Sequence, residues 1–152
     1  MLVLRVLLFL SLIMHASCEG KRPSPQCDSE TPVSATQVQE CAEKMKMTFP
    51  AETKYLGYHK NVGMDDMIYL KCSMGRDRLP AFISNTPFRG MQLSKERRHI
   101  GNSAARVPWW TPDKARRFES GEAWLDNVGF VQILVDMDAQ DDVVVYLFWS
   151  ET

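Results

Sequence analysis

Apolar residues at i, i+3, i+4 and i+7 mark the first regular element of this chain. Val38, Cys41, Ala42 and Met45 form one stripe behind Ser34, a residue type that caps helix N-termini. The pattern predicts a helix that begins after Ser34 and is ended by Pro50. Beyond it the period changes. Residues 54–59 read as a strand, "NVGMDD" as a turn around Gly63, and 67–74 as a second strand with Ile68, Leu70, Cys72 and Met74 alternating onto one face. "GRDRLPAFISN" predicts a second helix, with Asp77 as its cap and Leu79, Phe82 and Ile83 as its buried side, and 94–100 fits a short third. Residues 101–127 show no period and read as a long loop. Two strands, 129–135 and 143–149, close the chain as a hairpin around "DMDAQDD". The order helix, hairpin, helices, hairpin describes an α+β domain. It predicts an antiparallel sheet of about four strands in two hairpins, packed by two or three helices.

The first eighteen residues follow a different rule. "MLVLRVLLFLSLIMHASC" has one basic residue, Arg5, an unbroken apolar run over 6–14, and small residues at Ala16, Ser17 and Cys18. That is the layout of an export signal, and the run is too short to span a bilayer core of about 30 Å. "HASC" resembles a bacterial lipobox, which makes Cys18 the candidate lipidation site; His15 departs from it, standing where an aliphatic residue is usual. The soluble alternative is cleavage after Cys18. A single acyl chain binds a membrane only marginally, so firm anchoring needs the several chains of a mature lipoprotein. Residues 19–33, "EGKRPSPQCDSETPV", are polar with three prolines and read as a tether. Residues 34–152 form the single domain. The expected location is therefore the cell envelope, as a membrane-anchored lipoprotein or a periplasmic or extracellular protein.

Composition narrows the chemistry. The 152 residues are 45% hydrophobic and 10% aromatic, enough for a packed core, and the net charge of −1 gives no sign of a nucleic-acid partner. The charges are unevenly spread. From Arg89 to Arg117 there are eight basic residues against Glu96 and Asp113, and after Arg117 eight acidic residues and no basic one. Such blocks either make a basic patch for anionic lipid or cell-wall polymer, or neutralise each other across the domain; the near-zero total favours the second. Without Cys18 the cysteines are Cys27, Cys41 and Cys72, an odd number. Cys41 and Cys72 both point toward the expected core. They are either a disulfide pinning helix to sheet or two small buried apolar residues, with Cys27 a competing partner. None has zinc-site spacing with a histidine.

Candidate sites follow from residue type and position. Asp136, Asp138, Asp141 and Asp142 crowd one turn, but that turn lacks the central Gly and final Glu of an EF-hand loop, so it reads as solvated rather than as a metal site. No GxSxG, HExxH, P-loop or GxGxxG motif occurs. The nearest acid/base group is His59 with Asp65 or Asp66, the basis of an alternative reading as a periplasmic hydrolase. Trp109 and Trp110, in "VPWWTPDK", are the candidate binding aromatics. Neighbouring side chains in an extended stretch point apart, so one indole is expected to anchor the long loop while the other stays partly exposed. Arg97, Arg98 and His99, with Tyr58 and His59, complete the candidate set. No cofactor is implied.

The segments "FPAETKYLGYHKNVGMDDMIYLKC", "LPAFISNTPF", "PWWTP" and "VQILVDMDAQDDVVVYLFW", together spanning about 49–149, resemble a family of small exported bacterial proteins of unknown function, lipoproteins among them. The resemblance implies export and a small α+β domain, and no particular activity. The expectation is an envelope protein that works by binding a partner protein or cell-wall component, held at the membrane through a lipid anchor. A purely structural envelope role is the remaining alternative.

Overall fold

A computed structural model describes residues 32–101, 107–126 and 129–152. The expected export signal, Cys18, Cys27 and all but the last two residues of the expected tether lie outside the described residues.

The chain forms an α+β domain around one antiparallel sheet. Helix α1 (Ala35–Met45) leads into β1 (Lys54–Asn61) and β2 (Met67–Gly75). A 3-10 turn (Arg76–Arg78) then runs directly into the short helix α2 (Leu79–Ser84). After a long connection come β3 (Phe118–Leu125), β4 (Gly129–Asp136) and β5 (Asp142–Ser150). The sheet order is β1-β2-β5-β4-β3, with both expected hairpins joined along β2 and β5.

Ser34 caps α1 as expected. Its hydroxyl accepts from the Gln37 amide, and the Gln37 side chain returns the bond to the Ser34 amide at 2.8 Å, a capping box. The helix stops before Pro50 is reached. Lys46 turns left-handed at φ 54°, and the amides of Lys46 and Met47 both close onto the Ala42 carbonyl. The second helix begins without an Asp77 cap; Asp77 instead faces Arg78 at 3.5 Å.

Two further corrections concern the stretch expected to be helix and loop. Residues 94–100 form no third helix, because Ser94 spends its amide and carbonyl on a bridge to Ser120, both bonds 2.8 Å. Residues 118–125 are a fifth strand rather than loop. The positions of β3 that share a face with Val131, Ile133 and Val135 are Glu119, Gly121 and Ala123. Small and charged residues stand there, so the apolar alternation that announces a strand is missing.

The sheet is covered on both sides by different means. On one face Ile68, Leu70, Cys72, Val131, Ile133, Val135, Val145, Leu147 and Trp149 pack with Cys41 and Met45 of α1 and with Phe82 and Phe88. On the other face no α-helix is present among the described residues, only a 3-10 turn at Pro112–Lys114. Tyr69, Leu134, Tyr146 and Phe148 are covered by the connection from α2 to β3, through Ile100, Trp109, Trp110 and Ala115. We call the described parts of this connection, 95–101 and 107–117, the strap. No helix among the described residues is long and apolar enough to cross a membrane.

Candidate functional site

The strap is fastened largely by side chains. Arg97 donates to the carbonyls of Pro112, Asp113 and Ala115 and lies over the Phe118 ring at 4.2 Å. Arg116 and Arg117 turn their amides onto the Asp138 carboxylate at 3.0 and 2.8 Å, which holds that carboxyl below its ordinary pKa. Part of the basic block is thus neutralised by the acidic one. In the acidic turn itself, Asp136 Oδ1 accepts the Asp138 amide at 2.9 Å, the bond that makes aspartate a turn former.

Both tryptophans of the strap are half-buried, so the expected difference between an anchoring indole and a partly exposed one does not occur. The chain turns at this point, with the Trp110 amide donating to the Val107 carbonyl at 3.0 Å. Residues in a turn do not alternate as in a strand, and both rings meet the same sheet face. Trp110 stands edge-on to Tyr69 at 5.1 Å, to Tyr146 at 5.4 Å and to Trp109 at 5.9 Å. Trp109 lies over Gly57, where a Cβ atom would come within 2.6 Å of the ring. Its carbonyl accepts from Lys71 at 3.4 Å. The pair works as a plug.

Strand alternation parts Tyr58 from His59 as a common site, and a register shift in β1 between Tyr55 and Gly57 sets which face each takes. The extra residue, Leu56, re-phases the strand. Tyr55, Tyr58 and Lys60 pair with Cys72, Leu70 and Ile68 on the helix side, whereas Gly57 and His59 pair with Lys71 and Tyr69 on the strap side. The Tyr58 hydroxyl donates to Glu40 of α1 at 2.8 Å, and Lys60 reaches the same carboxylate at 2.6 Å. Those two bonds hold the Glu40 carboxyl below its ordinary pKa, and burial drives the Tyr58 phenol well above its own. His59 packs on Tyr69 with ring centroids 5.8 Å apart. Asp66 faces Lys60 at 3.8 Å, and His59 makes no ion pair with either turn carboxylate among the described residues. Cys41 and Cys72 are free thiols, fully buried in one cluster, and burial pushes both up to about 12. The disulfide reading is not what this structure contains; they pack as small apolar residues.

His99 has a different setting. It is exposed, and with Asp65 it borders a cleft of about 400 Å³ floored by Phe130 and Phe148. Gln132 lies in the same cleft. It accepts the Gly101 amide at 3.0 Å and donates to Glu122 at 2.8 Å, which fixes its amide in place. Arg98, next to His99, is also exposed. Of the candidate set, therefore, His99 borders a concavity, Arg97, Trp109 and Trp110 hold the strap, and Tyr58 serves the opposite face.

The residue not singled out from sequence is Trp124. Its side chain is 69% exposed, unusual for an indole, and it pairs directly across the β3–β4 hairpin with Phe130, rings 5.4 Å apart. Phe130 in turn contacts Phe148 at 5.8 Å. An aromatic ledge thus runs from the exposed edge strand into the floor of the cleft. The signal that could have found it is "AWLDNVGF", two aromatic residues flanking an Asn- and Gly-containing turn, which marks a hairpin with a cross-strand ring pair. Such a ledge beside the held Gln132 amide and the exposed Asp65 and His99 side chains suits a ligand with alternating apolar and hydroxyl-bearing faces. Compared with known proteins, the chain matches no family model, no curated protein and no solved structure.

Proposed function

We propose that this chain is an exported envelope protein that binds a glycan of the cell wall through the Trp124–Phe130 ledge and the cleft beside it. The observation that carries the reading is the exposed Trp124 indole tilted against Phe130, which itself lines a cleft with Asp65, His99 and Gln132. A sugar ring offers C–H groups to the electron-rich face of an indole and hydroxyls to carboxylate and amide groups at its rim. The export signal over 1–18 and the lipobox-like "HASC" with Cys18 support a location at the membrane surface, as does the resemblance to small exported lipoproteins.

Co-sedimentation of the purified chain with isolated cell-wall sacculi tests this directly. Binding is expected, with Trp124→Ala weakening it at least tenfold, a typical loss for a buried aromatic anchor. Because Trp124 is exposed, the variant keeps its fold, to be checked by circular dichroism. Unchanged sedimentation of Trp124→Ala, or none for the wild type, would overturn the proposal. The mass of the processed N-terminus, with or without acyl chains on Cys18, tests the anchor separately.

A further inference from the structure

Trp124, whose partner Phe130 lines the cleft, itself borders another concavity. A groove of about 590 Å³ lies between the end of α1, the turn after α2 and the end of β3, and it contains Lys46, Asn85, Arg89, Trp124 and Asp126. Its walls are set by backbone bonds. The Thr48 amide donates to the Asn85 carbonyl at 3.1 Å, which brings the left-handed Lys46 beside the α2 turn, and the Arg89 amide closes onto Thr86 at 3.1 Å. Asn85 Nδ2 is committed to the Ala81 carbonyl at 2.8 Å, which fixes the side chain. Lys46 and Arg89 are exposed, and neither makes an ion pair among the described residues. That sets them apart from Arg97, Arg116 and Arg117, whose charges are engaged by the strap and the acidic turn. Two cations against the single carboxylate of Asp126 leave the groove with a net positive charge beside an aromatic wall.

We infer that this groove binds the acidic group of a carboxylate- or phosphate-bearing sugar, with the Lys46 and Arg89 charges on the acid and Trp124 against the ring. This rests on the proposed glycan reading and deepens it: the ligand is an acidic glycan that crosses the Trp124 ledge with its neutral face in one concavity and its acid in the other. The groove volume accommodates one or two sugar units. The attraction is between exposed charges, so it weakens with salt over a Debye length of about 10 Å at 0.1 M.

Isothermal titration of the full chain with two matched probes tests the inference. One is chitohexaose, which is neutral; the other is a hyaluronan hexasaccharide, which carries a carboxylate on alternate sugars. In low salt the wild type is expected to bind the hyaluronan probe at least tenfold more tightly. Lys46→Asn with Arg89→Gln removes both charges; asparagine tolerates the left-handed backbone at position 46. That variant should bind the two probes within twofold of each other, with its chitohexaose affinity unchanged. A third probe, a glycerol phosphate oligomer, separates recognition of a phosphate from that of a sugar carboxylate: binding that needs Lys46 and Arg89 but not Trp124 identifies a bare anion site and overturns the inference. Equal wild-type affinity for the two hexasaccharides, or a preference that survives in the double variant, overturns it while leaving the glycan reading intact. If neither hexasaccharide binds, both fall together.

Discussion

Replacing Gly57 by alanine isolates the contact that seats the strap. A Cβ atom at position 57 would sit 2.6, 2.7 and 2.8 Å from three carbons of the Trp109 indole. Carbon atoms rest at about 3.5–4.0 Å, so the ring must retreat by about 1 Å. It has little room, because Trp109 backs onto Trp110, and Trp110 is held edge-on by Tyr69 and Tyr146. The displacement is therefore shared by a chain of rigid rings, and overpacking of this kind costs about 1–3 kcal/mol. In a Trp109→Ala background the same methyl group meets no ring. There Gly57→Ala should be neutral or stabilising by about 0.5 kcal/mol, since alanine restricts the unfolded strand more than glycine does. The coupling in the double-mutant cycle is then about 1–3.5 kcal/mol. Urea unfolding followed by far-ultraviolet circular dichroism measures it without relying on the indoles being altered. Midpoints should shift at constant m value. An equal penalty in both backgrounds would refute the seating of Trp109 on Gly57.

Three further outcomes are expected. Gly129 has φ 127° and a Cβ there would lie 2.0 Å from the Ser150 carbonyl oxygen, backbone that cannot step aside; Gly129→Ala should lose about 2–5 kcal/mol, and a wild-type urea midpoint would contradict this. Glu40 is held below its ordinary pKa, first by the Lys60 bond and then by Tyr58, so its contribution is present above the unfolded value of about 4.3 and disappears as pH falls through the lower folded value. Glu40→Gln should accordingly be about 0.5–1 kcal/mol less stable at pH 7, with the gap closing below about pH 4; a gap independent of pH would count against the Tyr58–Glu40–Lys60 tie. In a Cys18→Ser, Cys27→Ser background, Cys41 and Cys72, both raised to about 12, should ignore a thiol reagent at pH 8 until denaturant is added. Prompt labelling of two thiols in the folded chain would show that they are not buried.

The elements that could be read from sequence are those whose pattern and packing agree. The Ser34 cap, the α1 stripe and both hairpins involve residues whose side chains do what their types favour. β3 escaped notice because an edge strand beside Phe88 and Leu93 has no space for large inward residues: Gly121 lies against both of them. The bulge at Leu56 misled in another way. Alternation alone places Tyr55, Gly57 and His59 together, and one extra residue moves Tyr55 to the other face from the other two. The same limit applied to the site. His99 could be chosen from its type and its loop, but Trp124 acquires its exposure only from the strand that carries it, and the tryptophan pair loses its freedom only from the turn at Val107. Charge reads poorly along a chain for the same reason. Arg97 and Arg117 spend their guanidinium groups on carbonyl oxygens that are distant in sequence.

The unequal covering of the sheet divides the domain's stability into two tiers. The helix side is closed by α1 and by a continuous aliphatic layer, whereas the strap side is closed by an arginine, a glutamine and a set of ring edges, with few backbone bonds to the sheet. Local opening of the strap would release those side-chain fasteners while leaving the β2–β5 and β4–β5 ladders whole, so its amides should exchange with solvent far below the global unfolding free energy. Gly101, whose amide is tied to Gln132, sits at the junction of strap and cleft. A ligand in that cleft would thus slow exchange across the strap, and an amide-exchange map with and without the proposed glycan would show whether the cleft is its site.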